Sequence, residues 1–202
     1  MKTLLAAALL AIPAVAVGQS PLVTLPPNNG SGGVFLELTP TSSPLSVTGF
    51  QTYFSGAIGL QVNVEVWTRP GSYTGFTASN AGWTLTETAV GTAAGTTVLS
   101  SLVTLANPIS IASGGPTSIY FHATTVGGGI RYQGTGTTAT TNFNNLDVAL
   151  FSNAARTGTA PFAGTQNMPR VFSGAIHYTV VPAPGAAALL GLGGLLAARR
   201  RR

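Results

Sequence analysis

Apolar and polar side chains alternate with a period of two along most of residues 34–181. The clearest case runs from Leu60 to Trp67, where Leu or Val occupies every second position up to residue 66. Successive side chains of an extended strand point to opposite faces, whereas a helix repeats its apolar positions every three or four residues. The alternation therefore predicts β-strands that each turn one face toward a core.

Further predicted strands are separated by turns rich in Gly and Pro, such as Pro70-Gly71-Ser72 and Gly127-Gly128-Gly129. They cover residues 34–39, 45–53, 83–90, 97–105, 119–124, 130–133, 146–151 and 171–180. Short strands punctuated in this way are typical of an all-β fold, here an antiparallel β-sandwich over residues 34–181 that is jelly-roll-like or immunoglobulin-like. Residues 19–33, which contain several prolines and glycines, are predicted to form a flexible leader.

Charge is scarce and is concentrated at the two ends of the chain. Only 6% of residues are charged, and the formal net charge is +5. Lys2 and Arg199–Arg202 account for that excess, because the four remaining arginines match the four acidic residues. A neutral body lacks the basic surface that binds nucleic acid, so no nucleic-acid partner is expected. The chain has no cysteine, which excludes disulfides and thiolate chemistry.

Residues 1–18 have the organisation of a secretory signal peptide. Lys2 forms a positive start, residues 4–17 are apolar, and Ala16-Val17-Gly18 supplies the small residues that a signal peptidase accepts. The pattern predicts export, with the mature chain beginning near Gln19.

The C-terminal residues 182–202 combine three features in a fixed order. Pro182-Ala183-Pro184-Gly185 is followed by the apolar residues 186–198 and then by Arg199, Arg200, Arg201 and Arg202. An apolar stretch of this length forms a helix of about 20 Å, shorter than a hydrocarbon core of roughly 30 Å. We expect a short membrane helix whose arginines stay on the cytoplasmic side.

This order resembles the PEP-CTERM sorting signal of exported proteins in Gram-negative bacteria, over about residues 180–202. Ala183 stands where that signal usually has Glu. The resemblance implies that an exosortase-type membrane enzyme recognises and removes the tail. It also implies delivery to the cell surface or to the extracellular polymer matrix, with a membrane-bound precursor.

Groups that carry catalysis are few in the body. His122 and His177 lie on predicted strands, opposite the larger apolar residues, and we expect both to be half-exposed. The chain has neither a Gly-x-Ser-x-Gly elbow nor a His-Glu-x-x-His motif. We therefore predict a protein that is not an enzyme and needs no cofactor. A minor alternative is a calcium site, whose oxygen ligands would come from Asn142, Asn144, Asn145 and Asp147.

Three aromatic residues are candidates for contact with a glycan: Trp67, Tyr73 and Phe76. Trp67 lies on the polar side of its strand, and the other two lie in the following loop. Flat aromatic rings beside hydrogen-bonding groups can stack on the apolar face of a sugar. The alternative for Trp67 is that it packs inside the sandwich or under a loop.

Three functional hypotheses follow. The first is an exported, non-catalytic surface or matrix protein with a structural or adhesive role. The second is a carbohydrate-binding module associated with extracellular polysaccharide. The third, a hydrolase of matrix polymers, needs two carboxylates about 5–9.5 Å apart, and four scattered acids offer few ways to place them.

Replacing Arg199–Arg202 with Ser is expected to abolish retention of the tail, because an arginine cluster keeps its end of a helix cytoplasmic. That variant should leave the cell at full length. Replacing Pro182 and Pro184 with Ala should instead trap unprocessed protein in the membrane, because the motif is lost and the helix lengthens. Fractionation with mass measurement of the C-terminal peptide checks both outcomes. Release of the parent's truncated product from both variants would contradict the sorting hypothesis.

Overall fold

The computed structural model of the chain describes residues 21–30, 32–134 and 140–182. Within these ranges every regular element is a β-strand, and none is a helix that could cross a membrane. The strands are β1 Leu22–Val23, β2 Asn29–Gly30, β3 Gly33–Pro40, β4 Leu45–Thr52, β5 Gln61–Pro70, β6 Thr84–Thr92, β7 Val103–Ile111, β8 Thr117–Ala123, β9 Arg131–Gly134, β10 Asn142–Asn144, β11 Val148–Arg156, β12 Gln166–Asn167, β13 Arg170–Phe172 and β14 Gly174–Val180. The all-β prediction is confirmed for these residues.

The strands form three antiparallel sheets. A seven-stranded sheet has the order β10-β11-β3-β8-β5-β6, with β12 paired to β11. A four-stranded sheet has the order β1-β14-β4-β7, and a three-stranded sheet has the order β13-β9-β2. Most neighbours in these sheets are distant in sequence, so the fold depends on long-range pairing.

The main core lies between the seven-stranded and four-stranded sheets, which gives a sandwich-like arrangement. It combines Val62, Val64 and Val66 of β5 with residues of the opposite sheet, and the rings of Phe50 on β4 and Phe121 on β8 stack with their centroids 4.8 Å apart. Burying one such aliphatic or Phe side chain contributes about 1.5–3 kcal/mol. The period-two alternation of β3, β5 and β8 therefore identifies the inward faces correctly.

Glu87 on β6 and Asn107 on β7 connect the two large sheets at one open edge. The carboxylate of Glu87 accepts hydrogen bonds from the backbone N–H of Asn107 at 2.7 Å and from its side-chain amide at 2.9 Å. These bonds lower the pKa of Glu87, and the backbone N–H of Thr88 adds to the effect. Cross-sheet bonds of this kind occupy edge strands that would otherwise invite pairing with another chain.

A single residue, Ser173, separates β13 in the small sheet from β14 in the four-stranded sheet. Gly174 makes this change of sheet possible, because its φ of 150° is rare for other residues. A Cβ atom built there would lie only 2.0 Å from the carbonyl oxygen of Gln51.

The structure corrects four expectations about the strands, and the first is the single strand predicted at 171–180, which Ser173 divides between two sheets. Residues 21–30 of the predicted flexible leader contribute β1 and β2, because Leu22 is 4% exposed in the main core and pairs with Ile176. A two-residue strand such as Leu22–Val23 is too short to show a period in the sequence. The strand predicted at 97–105 begins at Val103 and runs to Ile111. The strand predicted to begin at Leu146 begins at Val148, and Leu146 is 93% exposed before it. The predicted signal peptide and residues 183–202 lie outside the described residues.

Glu87→Gln is expected to lower the thermal midpoint at neutral pH, because the charged acceptor of Asn107 is lost. A lowered pKa in the folded state means that this stabilisation is present above the unfolded value of about 4.3 and is lost as pH falls further. The difference in midpoint between parent and variant should therefore shrink between pH 5 and pH 3. Asn107→Ala and the double variant complete the thermodynamic cycle, and a pH-independent difference would show that the bridge does not act as described.

Candidate functional site

The outer face of the seven-stranded sheet carries a second hydrophobic cluster, here called the aromatic layer. Its centre is the stacked pair Phe35 of β3 and Tyr120 of β8, whose ring centroids lie 4.1 Å apart. The layer consists of Phe35, Tyr73, Trp83, Tyr120, Ala154 and Phe162, with Trp67 and Phe151 packed against it. The central strands are therefore buried on both faces, although their alternation predicts only one buried face.

Two loops, residues 71–83 and 157–165, cover the aromatic layer. Arg156 ties them together, because its Nε donates to the carbonyl of Thr77 at 2.5 Å and its Nη1 donates to that of Gly164 at 2.8 Å. Phe162 inserts its ring into the layer with a left-handed backbone, φ 60°, which is unusual for a residue with a large side chain. Burial of that ring compensates for the unfavourable backbone conformation.

His122 is fully buried beneath the second of these loops, which corrects the expectation that it is half-exposed. Its Nε2 donates to the carbonyl of Thr159 at 3.1 Å, so its Nδ1 is free to accept from the hydroxyl of Tyr120 at 2.8 Å. A Cβ at Gly33, on the neighbouring strand, would lie 2.6 Å from that Nδ1. Burial lowers the pKa of His122, which favours the neutral ring that this bonding requires.

His177 lies in the other large sheet and does not share a site with His122. It is half-buried on β14, and its Nε2 bonds to Oε1 of Gln51 at 2.8 Å. Partial burial lowers the pKa of His177 as well. A catalytic site with a Ser nucleophile would need one of these histidines as its base, but each of them is held in a separate structural contact.

Trp67 borders a shallow open depression of about 350 Å³ beside the aromatic layer. Its ring packs edge-on against Phe162, with centroids 5.4 Å apart, and its Nε1 donates to Oε2 of Glu65 at 2.8 Å. The remaining lining includes the exposed residues Ser79 and Asn80. Trp67 thus packs under a loop, as the alternative expects, and it also borders a depression.

Tyr73 and Phe76 do not join Trp67 at this depression. Tyr73 is only 2% exposed, and its hydroxyl accepts the backbone N–H of Asn153 at 2.8 Å, so its ring is not available to a glycan. Phe76 is 44% exposed and lies under the guanidinium of Arg69, 3.5 Å from Cζ to the ring centroid. The sequence analysis did not identify Ser79 and Asn80 as residues that line the depression, because Ser and Asn are common in ordinary turns.

Two of the four residues considered as calcium ligands, Asn145 and Asp147, form structural hydrogen bonds instead. Oδ1 of Asn145 accepts the backbone N–H groups of Asp147 and Val148, both at 3.0 Å. Tyr178 donates its hydroxyl to Oδ2 of Asp147 at 3.1 Å and accepts from Asn145 at 2.6 Å. In the part of the chain that the structure describes, no three His, Cys, Asp or Glu side chains are grouped to hold a metal ion.

Comparison of the chain with protein-family models, with curated proteins and with solved structures finds no match. The functional argument therefore depends on the residues and geometry described above.

The stability of the protein is expected to fall as the pH drops below about 6.5, the pKa of an unperturbed histidine. The unfolded chain gains a proton at His122 in this range, whereas the folded chain does not until its lower pKa is reached, so the free energy of unfolding decreases. His122→Gln should cost about 1–3 kcal/mol at pH 7 and should remove most of this dependence. Denaturant unfolding between pH 5 and pH 7 measures both effects. His177→Gln is the control, and loss of the dependence in that variant alone would contradict the assignment.

Proposed function

We propose that this chain is an exported, non-catalytic protein of the cell surface or extracellular matrix, with a structural or adhesive role. The observation that carries the proposal is the dispersal of reactive side chains in the body. Each histidine is held in a separate structural contact, and Glu87 and Asp147 are used in bonds that join elements. This arrangement supports a structural role, because the polar side chains stabilise the fold and do not converge on one site.

Sheet geometry also gives little support to the hydrolase hypothesis. Glu37 pairs with Ser118 and Glu65 pairs with His122, both across β8. Two strand spacings sideways and four residues along the strand separate the backbones of these acids by roughly 16 Å. A pair of glycosidase carboxylates lies about 5–9.5 Å apart.

Localisation in this proposal comes from the two ends of the sequence. Residues 1–18 act as a signal peptide, and a signal peptidase is the first partner. Residues 182–202 act as a sorting signal of the PEP-CTERM type, with a short apolar helix and an exosortase-type enzyme as the second partner. The exported body is an antiparallel β-sandwich of jelly-roll-like or immunoglobulin-like kind.

A second candidate function, binding of extracellular polysaccharide, is favoured by the depression at Trp67. A half-buried indole held by Phe162 and Glu65 is a rigid surface on which a sugar ring can stack. Ser79 and Asn80 supply hydroxyl and amide groups at the same place. Binding of a sugar at this depression would distinguish a carbohydrate-binding module from a purely structural protein.

Two measurements test the proposals. Expression of the full chain in a Gram-negative host with an exosortase-type enzyme should place it on the outside of intact cells, where added protease degrades it. Retention inside the cell would overturn the first proposal.

Binding of the full chain to an oligosaccharide array tests the second candidate function. If Trp67 stacks on a sugar, Trp67→Ala should weaken binding about tenfold, equivalent to about 1.4 kcal/mol. Val90→Ala is the matched control, because Val90 is an exposed apolar residue on the neighbouring strand β6 that pairs with Asn63, four residues along β5 from Trp67. Equal binding by the two variants, or none by the parent, would exclude the Trp67 site.

A further inference from the structure

A second depression, here called the Glu37 trough, lies at the other side of the same sheet face. Two cross-strand rows form it through the pairing of β3, β11 and β10. The first row is Glu37, Phe151 and Asn142, and the second is Thr39, Ala149 and Asn144. Directly paired residues of antiparallel strands share a face, so all six side chains point to the outer side of the sheet.

The shape of the trough follows from the sizes of its central residues. Ala149 is small and lies between Thr39 and Asn144, whereas Phe151 forms a wall beside it. The ring of Phe151 stacks on Tyr73 with centroids 5.8 Å apart and an interplanar angle of 11°, which holds it in place. The resulting space has a volume of about 500 Å³. A ligand there would contact the fixed aromatic ring of Phe151 and the surrounding polar side chains of Glu37, Thr39, Asn142 and Asn144.

Glu37 has an unmet hydrogen-bonding requirement in this trough. Within the described part of the chain, its Oε2 is buried and has no hydrogen-bond partner. Ser118, opposite Glu37 on β8, donates its hydroxyl to the carbonyl of Gly71 at 2.7 Å and is therefore engaged elsewhere. A buried acceptor without a partner is unfavourable, and more so when it is charged, so a donor supplied by a ligand would be stabilising.

We propose that the Glu37 trough binds a neutral sugar residue. A sugar hydroxyl would donate to the carboxylate of Glu37, which turns its Oε2 toward the trough to accept it, and the apolar face of the sugar ring would contact Phe151. The carboxamides of Asn142 and Asn144 each offer a donor and an acceptor, which suits hydroxyl groups that both donate and accept. One carboxylate surrounded by neutral polar groups is a weaker match for a divalent cation, which needs more negative ligands.

The trough is separate from the depression at Trp67, which lies on β5 and the covering loops. The proposal therefore holds whether or not Trp67 binds a glycan, and it goes beyond the proposed structural role. If both depressions bind sugar, a single polysaccharide chain that occupies both is bound more tightly than at either depression alone, because the second contact is then intramolecular.

The experiment titrates the isotopically labelled full chain with glucose, galactose, mannose and N-acetylglucosamine, and with their short oligomers. The side-chain amide signals of Asn142 and Asn144 report binding by nuclear magnetic resonance. We expect at least one of these sugars to shift both signals with a dissociation constant on the order of 1 mM, a typical weak affinity of about −4 kcal/mol.

Three variants locate the binding. Glu37→Gln preserves the shape of the side chain and removes its charge, and Asn144→Ala truncates an exposed side chain on β10. Each should weaken sugar binding about tenfold. Asn63→Ala is the matched control, because Asn63 is an exposed asparagine on β5, away from the trough. Trp67→Ala should leave this binding unchanged.

Three results would overturn the proposal. The first is the absence of any shift at Asn142 and Asn144 with all the sugars at about 50 mM, well above the expected dissociation constant. The second is unchanged affinity in both Glu37→Gln and Asn144→Ala. The third is a shift of the same signals by calcium chloride alone, with no response to sugar, which would identify a cation site instead.

Discussion

The stack of Phe35 on Tyr120 is the contact on which the outer half of the molecule depends. These two rings turn the outer face of the seven-stranded sheet into a second apolar surface, and an apolar surface of that size must be covered. The two loops at residues 71–83 and 157–165 provide the cover. Trp67, which borders the first depression, and Phe151, which forms a wall of the Glu37 trough, both pack against the aromatic layer.

Hydrogen bonds from polar side chains hold in place the two loops that cover the aromatic layer. Arg156 bonds to the carbonyl groups of both loops, and His122 holds the second loop through Thr159. Each bond uses a buried or half-buried donor that would be costly to leave unpaired. Arg156 and His122 therefore hold the two loops in specific positions, although the body contains few charged or titratable residues.

The sequence predicts the strands and their inward faces well where alternation is long. The segments at 34–39, 60–67 and 119–124 all match observed strands, because a repeated pattern over six or more residues has one simple structural interpretation. Short elements such as β1 and β12 carry no pattern of their own and form only through pairing with β14 and β11. Of the three predicted glycan contacts, only Trp67 reaches a depression, because Tyr73 is drawn into the aromatic layer.

The sequence by itself determines the all-β class, the neutral body and the sides of β3, β5 and β8 that face the main core. These properties depend on local alternation and on composition. Tertiary structure alone decides which outward residues become buried, since that depends on loops that are distant in sequence from the residues they cover. It also decides the Glu37 trough, because Glu37 of β3 meets Phe151 and Asn142 only through the register of β3 on β11, and more than 100 residues of chain separate Glu37 from both. Register is a property of paired strands, so no single segment could have revealed it.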